Sequence, residues 1–374
     1  MTLDFPADHL PADHVDSLLV GRMLTPDGPS PILIRGGEVF DVSAASPTVC
    51  DLVERNDLTT LVGKRLCGID DLDAATLLSP LDLQCIKAAG VTFAVSAIER
   101  VIEERARGDA GAAAGIRGRL EGRLGADMRA VVPGSPEATR LKTMLIDEGL
   151  WSQYLEVAIG PDAEIFTKAP VLSSVGYGAD VGVRGDSHWN NPEPEIALIV
   201  DGRGRSVGAT LGNDVNLRDF EGRSALLLGK AKDNNASCAL GPFIRMFDAG
   251  FTIDDVRRAE VSLNIDGVDG YRLDGASSMA QISRDPLELV RQALSDHQYP
   301  DGFALLLGTL FAPIQDRDTP GGGFTHKTGD VVRIFTPTLG TLINTVAPSS
   351  TAPPWRFGVR ALMTNLAARG LLNP

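Results

Sequence analysis

The chain is poor in the residues that staple small proteins or bind soft metals. Its 374 residues include four cysteines, Cys50, Cys67, Cys85 and Cys238, and five histidines. No two cysteines form a CxxC pair, so a disulfide scaffold and a cysteine zinc site are both excluded. Basic residues are outnumbered, 35 Lys and Arg against 49 Asp and Glu, for a net charge of −14. Nucleic acid and anionic membrane surfaces attract basic patches, so neither is an expected partner. A small anionic substrate can enter such a field only where a metal ion or a local Lys or Arg overrides it. No apolar run approaches the roughly 20 residues of a membrane span. The opening "MTLDFPADHLPADHVDSLLV" has acids where a signal peptide carries basic residues, so a reducing cytoplasm is the expected setting.

What is there is an ordinary globular composition, 43% hydrophobic and 22% charged. The length suits two or three domains, or one large core with an appended module. Residues 1–80 read as a small β-rich N-terminal domain: "LLVGRM", "PILIRGG" and "EVFDVS" are short strands, and "RGGEV" is a hairpin turn. Residues 81–150 read as a strand and helical connecting region. There "LDLQCIKAAGVTFAVS" runs from strand into helix, and residues 108–150 are Ala/Gly/Arg-rich and helical, with a loop near "VVPGSPEA". The first helix is predicted to start at Ser96, with Glu99 three positions on as a capping box. Ala97, Ile98, Val101 and Ile102 make its apolar stripe. Residues 151–374 alternate short strands with Gly/Pro/Asn/Asp turns: "AEIFTK", "IALIVD", "SVGATLG", "EVSLNID", "YRLDG", "ALLLGT" and "VVRIFT". Helices are predicted over "SRDPLELVRQAL" and in the tail "WRFGVRALMTNLAARGLL". The class is α+β and β-dominated, not a βαβ array.

Four fragments place polar groups where strands end. "NNPEPEIALIV", residues 190–200, sets Glu193 and Glu195 on one face of a strand, because successive side chains alternate. Two carboxylates that close repel unless a cation or strong donors sit between them. Glu164 stands in "AEIFTK", Asp214 in "GNDVNLRDFEG", and Lys230 and Lys232 in "GKAKDNNASCALGPF". Three carboxylates without a nearby His or Cys suit Mg²⁺, with Mn²⁺ and Ca²⁺ as alternatives, rather than zinc. Each fragment alone has a plainer reading. An ExE at a strand entrance is a solvated edge that Pro194 tolerates, Asp214 is a turn residue, Arg218 and Asp219 are an ion pair, and Lys232 is a surface lysine. Only the four together point to chemistry.

Their order does more. ExE, then ND-x-x-x-RD, a Lys ahead of "ASCALGP", then "LLGT" and "KTGDVV", resembles the fumarylacetoacetate hydrolase family over roughly residues 82–345. "AAGVTF", "DSHWNNPEPE" and the Lys–"SCA-x-GP" element are similar to one branch of it, the 2-keto-3-deoxy-pentonate dehydratases. The resemblance implies a mixed β-roll catalytic domain. It implies that Glu193, Glu195 and Asp214 hold the metal, that Lys232 is an active-site lysine, and that Thr309 contacts the substrate carboxylate. It places Glu164 as an active-site acid. The hydrolases carry a His and a Glu after an aromatic position matching Phe93; here Ser96 stands at the His position and Glu99 keeps the acid. Half of the water-activating dyad is gone, which favours elimination over C–C cleavage and leaves Ser96 open to substrate binding as well as capping. The implied reaction is metal-dependent dehydration of 2-keto-3-deoxy-D-xylonate to 2,5-dioxopentanoate. The alternative is a C–C hydrolase or decarboxylase of another 2-oxo acid of the acylpyruvate type. The implied partners are a small anionic sugar acid and a second or further copies of the chain, as a homodimer or homotetramer.

Overall fold

Gly36 and Gly37 explain the first hairpin. Both sit at positive φ, 57° and 72°, the left-handed pair that a two-residue type I′ connection demands. They join Gly28–Arg35 to Glu38–Asp41 in antiparallel register. The structure, a computed structural model, describes residues 5–117, 131–311, 313, 315–320 and 323–372.

One ten-stranded sheet carries most of the predicted strands. Its order is Lys64–Gly68, Glu38–Asp41, Gly28–Arg35, Leu19–Thr25, Cys238–Met246, Ser206–Asp214, Pro194–Val200, Phe303–Leu306, Cys85–Gly90 and Glu164–Ala169. The first eighty residues, read from sequence as a domain of their own, supply four strands at one edge of this sheet. Leu19–Thr25 makes the junction by pairing antiparallel with Cys238–Met246.

A second sheet of five strands runs in the order Arg272–Ser278, Glu260–Asp266, Val331–Thr336, Gly340–Pro348 and Asp180–Val183. Ile196, Leu198 and Leu211 of the large sheet share one buried cluster with Leu263, Ile265, Ile334 and Leu342 of the small one. Each such side chain contributes roughly 1.5–3 kcal/mol on full burial, so this interlayer core fixes where the strand ends beside it point. The strand-dominated α+β class expected from the turn pattern is the class observed, with short helices at the strand ends.

Cys238–Met246 is a central strand, buried along its whole length, that its sequence hides. "SCALGPF" reads as a turn of small residues, and Pro242 removes a ladder donor. The partner strand absorbs the defect with a register shift between Ala209 and Leu211, the bulge that a proline inside a sheet needs.

The helix predicted from Ser96 instead spans Ala94–Arg105, with Phe93 in extended backbone as its N-cap. Ser96 lies inside the first turn, and its hydroxyl donates to the Phe93 carbonyl at 2.9 Å. Glu99 makes no capping box because two arginines, Arg117 and Arg218, take its carboxylate. Charge-assisted bonds of that kind are roughly twice as strong as a neutral one. Helices Pro136–Asp147 and Gln153–Ile159 follow; the part of the Ala/Gly/Arg-rich segment at 118–130 lies outside the described residues. The two later helices expected from sequence are observed as Pro286–Leu294, capped by Asp285, and Val359–Ala368, and short helices at Arg218–Glu221, Leu228–Lys232 and Ile253–Arg258 lie before them. Among the described residues no helix is long and apolar enough to cross a membrane.

Candidate active site

Antiparallel pairing brings the acids together. Glu195 lies opposite Gly212 and Pro194 opposite Asn213, so Asp214 follows onto the level of Glu193, whose carbonyl accepts its N–H at 3.0 Å. One ligand oxygen from each of Glu193, Glu195 and Asp214 lies within 4.8 Å of the others. The three residues are only 6%, 3% and 1% exposed. Glu195 is oriented by the Gly308 N–H, which donates to it at 2.7 Å. Gly308 has φ +88°, and a Cβ there would meet Thr92 Oγ1 at 2.0 Å, so only glycine serves at this position.

The same cavity is lined by Ser96, Glu99, Glu164, Glu193, Glu195, Asp214, Lys232 and Thr309, while Lys230 and Asp219 of the same fragments lie outside its lining. Lys232 is buried, with its Nζ 2.5 Å from Glu193 Oε2 and 3.2 Å from Asp214 Oδ2. Burial disfavours its charge, but Asp214, Glu193 and Glu221 outweigh that and raise its pKa, so it is a fixed cation. Glu164 faces Gly90 across the pairing of Cys85–Gly90 with Glu164–Ala169. A Cβ on Gly90 would meet Glu164 Oε2 at 2.1 Å, so that glycine makes room for the carboxyl. Burial raises the Glu164 pKa, and Arg100 and Lys232 pull against it. The Thr309 hydroxyl accepts from the Phe311 N–H at 3.1 Å.

Several members of the site escaped the sequence reading. Arg100 grips Glu193 and Glu103, each at 2.7 Å, and Glu221 at 3.0 Å. Lys168, fully buried, reaches Asp214 Oδ1 at 2.8 Å. Arg218 does not pair with Asp219. It binds Glu103 at 2.7 Å and Glu99 at 3.0 Å, while Asp219 accepts from Ser187 Oγ and the His188 N–H, both at 2.8 Å. Neighbours in a helix point apart, which is why the adjacent pair fails. Signals for the others existed. Glu99, Arg100 and Glu103 occupy the polar side left by the apolar stripe of their helix, and Lys168 follows Glu164 and Phe166 at strand parity.

The charges test whether a cation fits. Seven carboxylates line the cavity, from Glu99, Glu103, Glu164, Glu193, Glu195, Asp214 and Glu221, against Arg100, Arg218 and Lys232. Lys168 and Arg117 behind the wall bring the positive charges to five. Carboxyl groups outnumber the cations, an imbalance that a divalent ion beside the triad would offset. The strain shows in the acids themselves: burial, then the charges of Asp214 and Glu193, push Glu195 well above the usual carboxylate range. Burial also lifts Glu221 to about 7 against the pull of Arg100. An all-oxygen triad of this charge fits Mg²⁺.

The arginine network is structural as well as polar. Arg218 is 2% exposed, and its replacement by Met leaves Glu103 short of one cation and Glu99 dependent on Arg117. Breaking a buried pair from one side costs about 3–5 kcal/mol. A urea titration of Arg218→Met is therefore expected to show a loss of that size, and an unchanged midpoint would contradict the pairing.

Comparison with known proteins identifies the family. Residues 153–347 match the family model described as fumarylacetoacetate (FAA) hydrolase C-terminal. Over 186 residues, 49% of this chain, the sequence is 32% identical to a 2-dehydro-3-deoxy-D-arabinonate dehydratase of Saccharolobus solfataricus. Over 193 residues, 52% of this chain, it is 33% identical to a probable 2-keto-3-deoxyxylonate dehydratase of Haloferax volcanii. These matches span 58% and 63% of the two relatives' own lengths. Among solved structures, the apo form of a 2-keto-3-deoxy-D-arabinonate dehydratase superposes with TM-score 0.64 at 23% identity, covering 88% of this chain and 99% of the other. The structure of 2-keto-3-deoxy-D-arabinonate dehydratase complexed with magnesium and 2,5-dioxopentanoate superposes at 0.62 with 22% identity and the same coverage. With more than half of its residues matched by the family model and its fold shared with the solved structures, this chain belongs to the fumarylacetoacetate hydrolase family.

Proposed function

We propose that the chain is a metal-dependent hydro-lyase that dehydrates 2-keto-3-deoxy-D-xylonate to 2,5-dioxopentanoate. The observation that carries this reading is the buried triad of Glu193, Glu195 and Asp214 beside Lys232, on a cavity wall shared with Glu164. The two curated relatives, both named as dehydratases of 2-keto-3-deoxy-pentonates, support the substrate class. Mg²⁺ held by the triad would supply a Lewis acid that draws electrons from the substrate's 2-keto group.

The chain's own groups account for the remainder. Lys232 holds its positive charge towards the oxygen on which negative charge grows as a C3 proton passes to solvent water, from which Glu164 is afterwards reprotonated. Thr309 and Ser96 offer hydroxyls to the carboxylate and to the sugar chain. Glu164, favoured in its protonated form by burial, hands a proton to the departing C4 hydroxyl, which leaves as water. A C5 proton then moves to C3 and the C5 hydroxyl proton to C4, so the C5 alcohol carbon becomes the aldehyde of 2,5-dioxopentanoate. Atoms balance as substrate minus one water, with no change in net oxidation. Among the described residues no histidine lines the cavity, so the base that C–C hydrolysis requires is missing, and elimination is favoured.

Product analysis tests the reaction class. Incubation with 2-keto-3-deoxy-D-xylonate is expected to yield one five-carbon dicarbonyl acid. Recovery of pyruvate with a two-carbon aldehyde would mean cleavage of the carbon chain and would overturn the reading.

A further inference from the structure

The triad is only half of a longer polar row. Asn191, Glu193 and Glu195 follow at strand parity along one segment, and Asp214 and Asn216 do so along its antiparallel neighbour; all five line the cavity. Asn216 lies directly opposite Asn191 in the two-stranded ribbon. The row therefore has an acidic end that suits a cation and an amide end one strand step, about 7 Å, beyond it. The amide end is buried, Asn191 at 2% and Asn216 at 0% exposure. Among the described residues neither polar atom of the Asn216 carboxamide has a partner, nor does Asn191 Oδ1, whereas Asn191 Nδ2 donates to the Pro192 carbonyl at 2.8 Å.

A buried carboxamide that makes no hydrogen bond is costly. Asn216 offers donors and an acceptor together, and a hydroxyl is the group that answers both. Resting on the keto-acid reading above, we propose that Asn216, assisted by Asn191, is the subsite that reads the terminal hydroxyl of the substrate. A five-carbon acid whose C1 and C2 oxygens would be held through a divalent ion at the acidic end extends its far carbons along the row towards the amides. An apolar acyl chain in that place leaves three polar atoms dry, so the cavity selects hydroxylated 2-oxo acids over apolar ones. A site built to bond a hydroxyl discriminates strongly against the analogue that lacks it.

The test compares 2-keto-3-deoxy-D-xylonate with its 5-deoxy analogue in the wild type, Asn216→Leu and Asn216→Ser, all with Mg²⁺ present. Asn216→Leu is expected to lose about 10–100-fold in kcat/KM on the hydroxylated acid. On the 5-deoxy analogue it should change little, and Asn216→Ser should recover part of the preference. Equal losses on both acids, or no loss on either, would overturn the assignment. Thermal stabilisation by the same two acids and by pyruvate, which lacks the tail, gives a second readout that needs no turnover. Pyruvate should stabilise wild type and variants alike. The hydroxylated acid should stabilise the wild type more than its 5-deoxy analogue does, with that margin gone in Asn216→Leu. If the wild type dehydrates neither acid, the proposed reaction fails while this margin still decides the subsite. Equal stabilisation of the wild type by both acids removes the subsite. Should Asn216→Leu fail to fold, Asn216→Ser carries the comparison, and a margin as large as the wild type's would overturn the assignment.

Discussion

Glu195→Gln should destroy activity while leaving the fold intact or firmer. Glu195 is the cleanest member of the triad to change: Glu193 is held by Arg100 and Lys232, whereas among the described ion pairs none includes Glu195, which accepts only from the Gly308 N–H. Its folded pKa stands well above the ordinary value, from burial first and then from Asp214 and Glu193. The sign follows directly. A raised folded pKa contributes stability below the unfolded value near 4.5 that is lost as pH rises through the folded value. The ionised carboxylate is therefore the unfavourable form in this site, and a neutral amide of equal size avoids its repulsion. Loss of one ligand removes most of the several kcal/mol that a Lewis acid supplies, so kcat/KM should fall on the order of 10³-fold. Calorimetric titration with Mg²⁺ should show weakened or absent binding, and thermal denaturation should show an unchanged or higher midpoint. Stability gained at the expense of activity is the usual mark of a strained functional site.

The second large effect concerns Glu164. Glu164→Gln keeps the shape and removes the exchangeable proton, so kcat should fall about 10²–10⁴-fold while Mg²⁺ binding is retained. The pH profile separates this role from a structural one. Because the folded pKa of Glu164 is raised, chiefly by burial, the protonated acid persists above its usual range and is depleted as pH rises. The wild type should therefore lose kcat on the alkaline side of that pKa, and the residual activity of Glu164→Gln should lack this limb. An identical pH profile in both proteins would remove Glu164 from proton transfer. The neighbouring glycine gives a related check on geometry: Gly90 leaves the space that Glu164 Oε2 fills, so its side-chain-free position belongs to the same device.

How much of this was legible before folding depends on the physics of each part. Alternation in "NNPEPEIALIV" put Glu193 and Glu195 on one face without help from tertiary structure, since strand parity is a local property. The Gly36–Gly37 hairpin was equally local. Cys238–Met246 was not, because a Gly-Pro pair reads as a turn until a bulge in the partner strand is seen to accommodate it. Ser96 misled for a related reason: its spacing to Glu99 satisfies a capping rule, yet long-range pairing with Arg117 and Arg218 claims the carboxylate. Lys168, Arg100 and Glu221 were missed because helix phase and strand parity say which residues share a face, not that charged residues are buried on it. Their burial becomes tolerable only when seven acids lining one cavity meet three cations there and two behind its wall, and that arrangement exists only in the folded chain.

The proposed dehydration requires a divalent ion between Glu193, Glu195 and Asp214, and one measurement reaches that requirement directly. Protein treated with EDTA and freed of chelator should release no 2,5-dioxopentanoate from 2-keto-3-deoxy-D-xylonate, and stoichiometric Mg²⁺ should restore release. Full turnover by the metal-free protein would contradict the account.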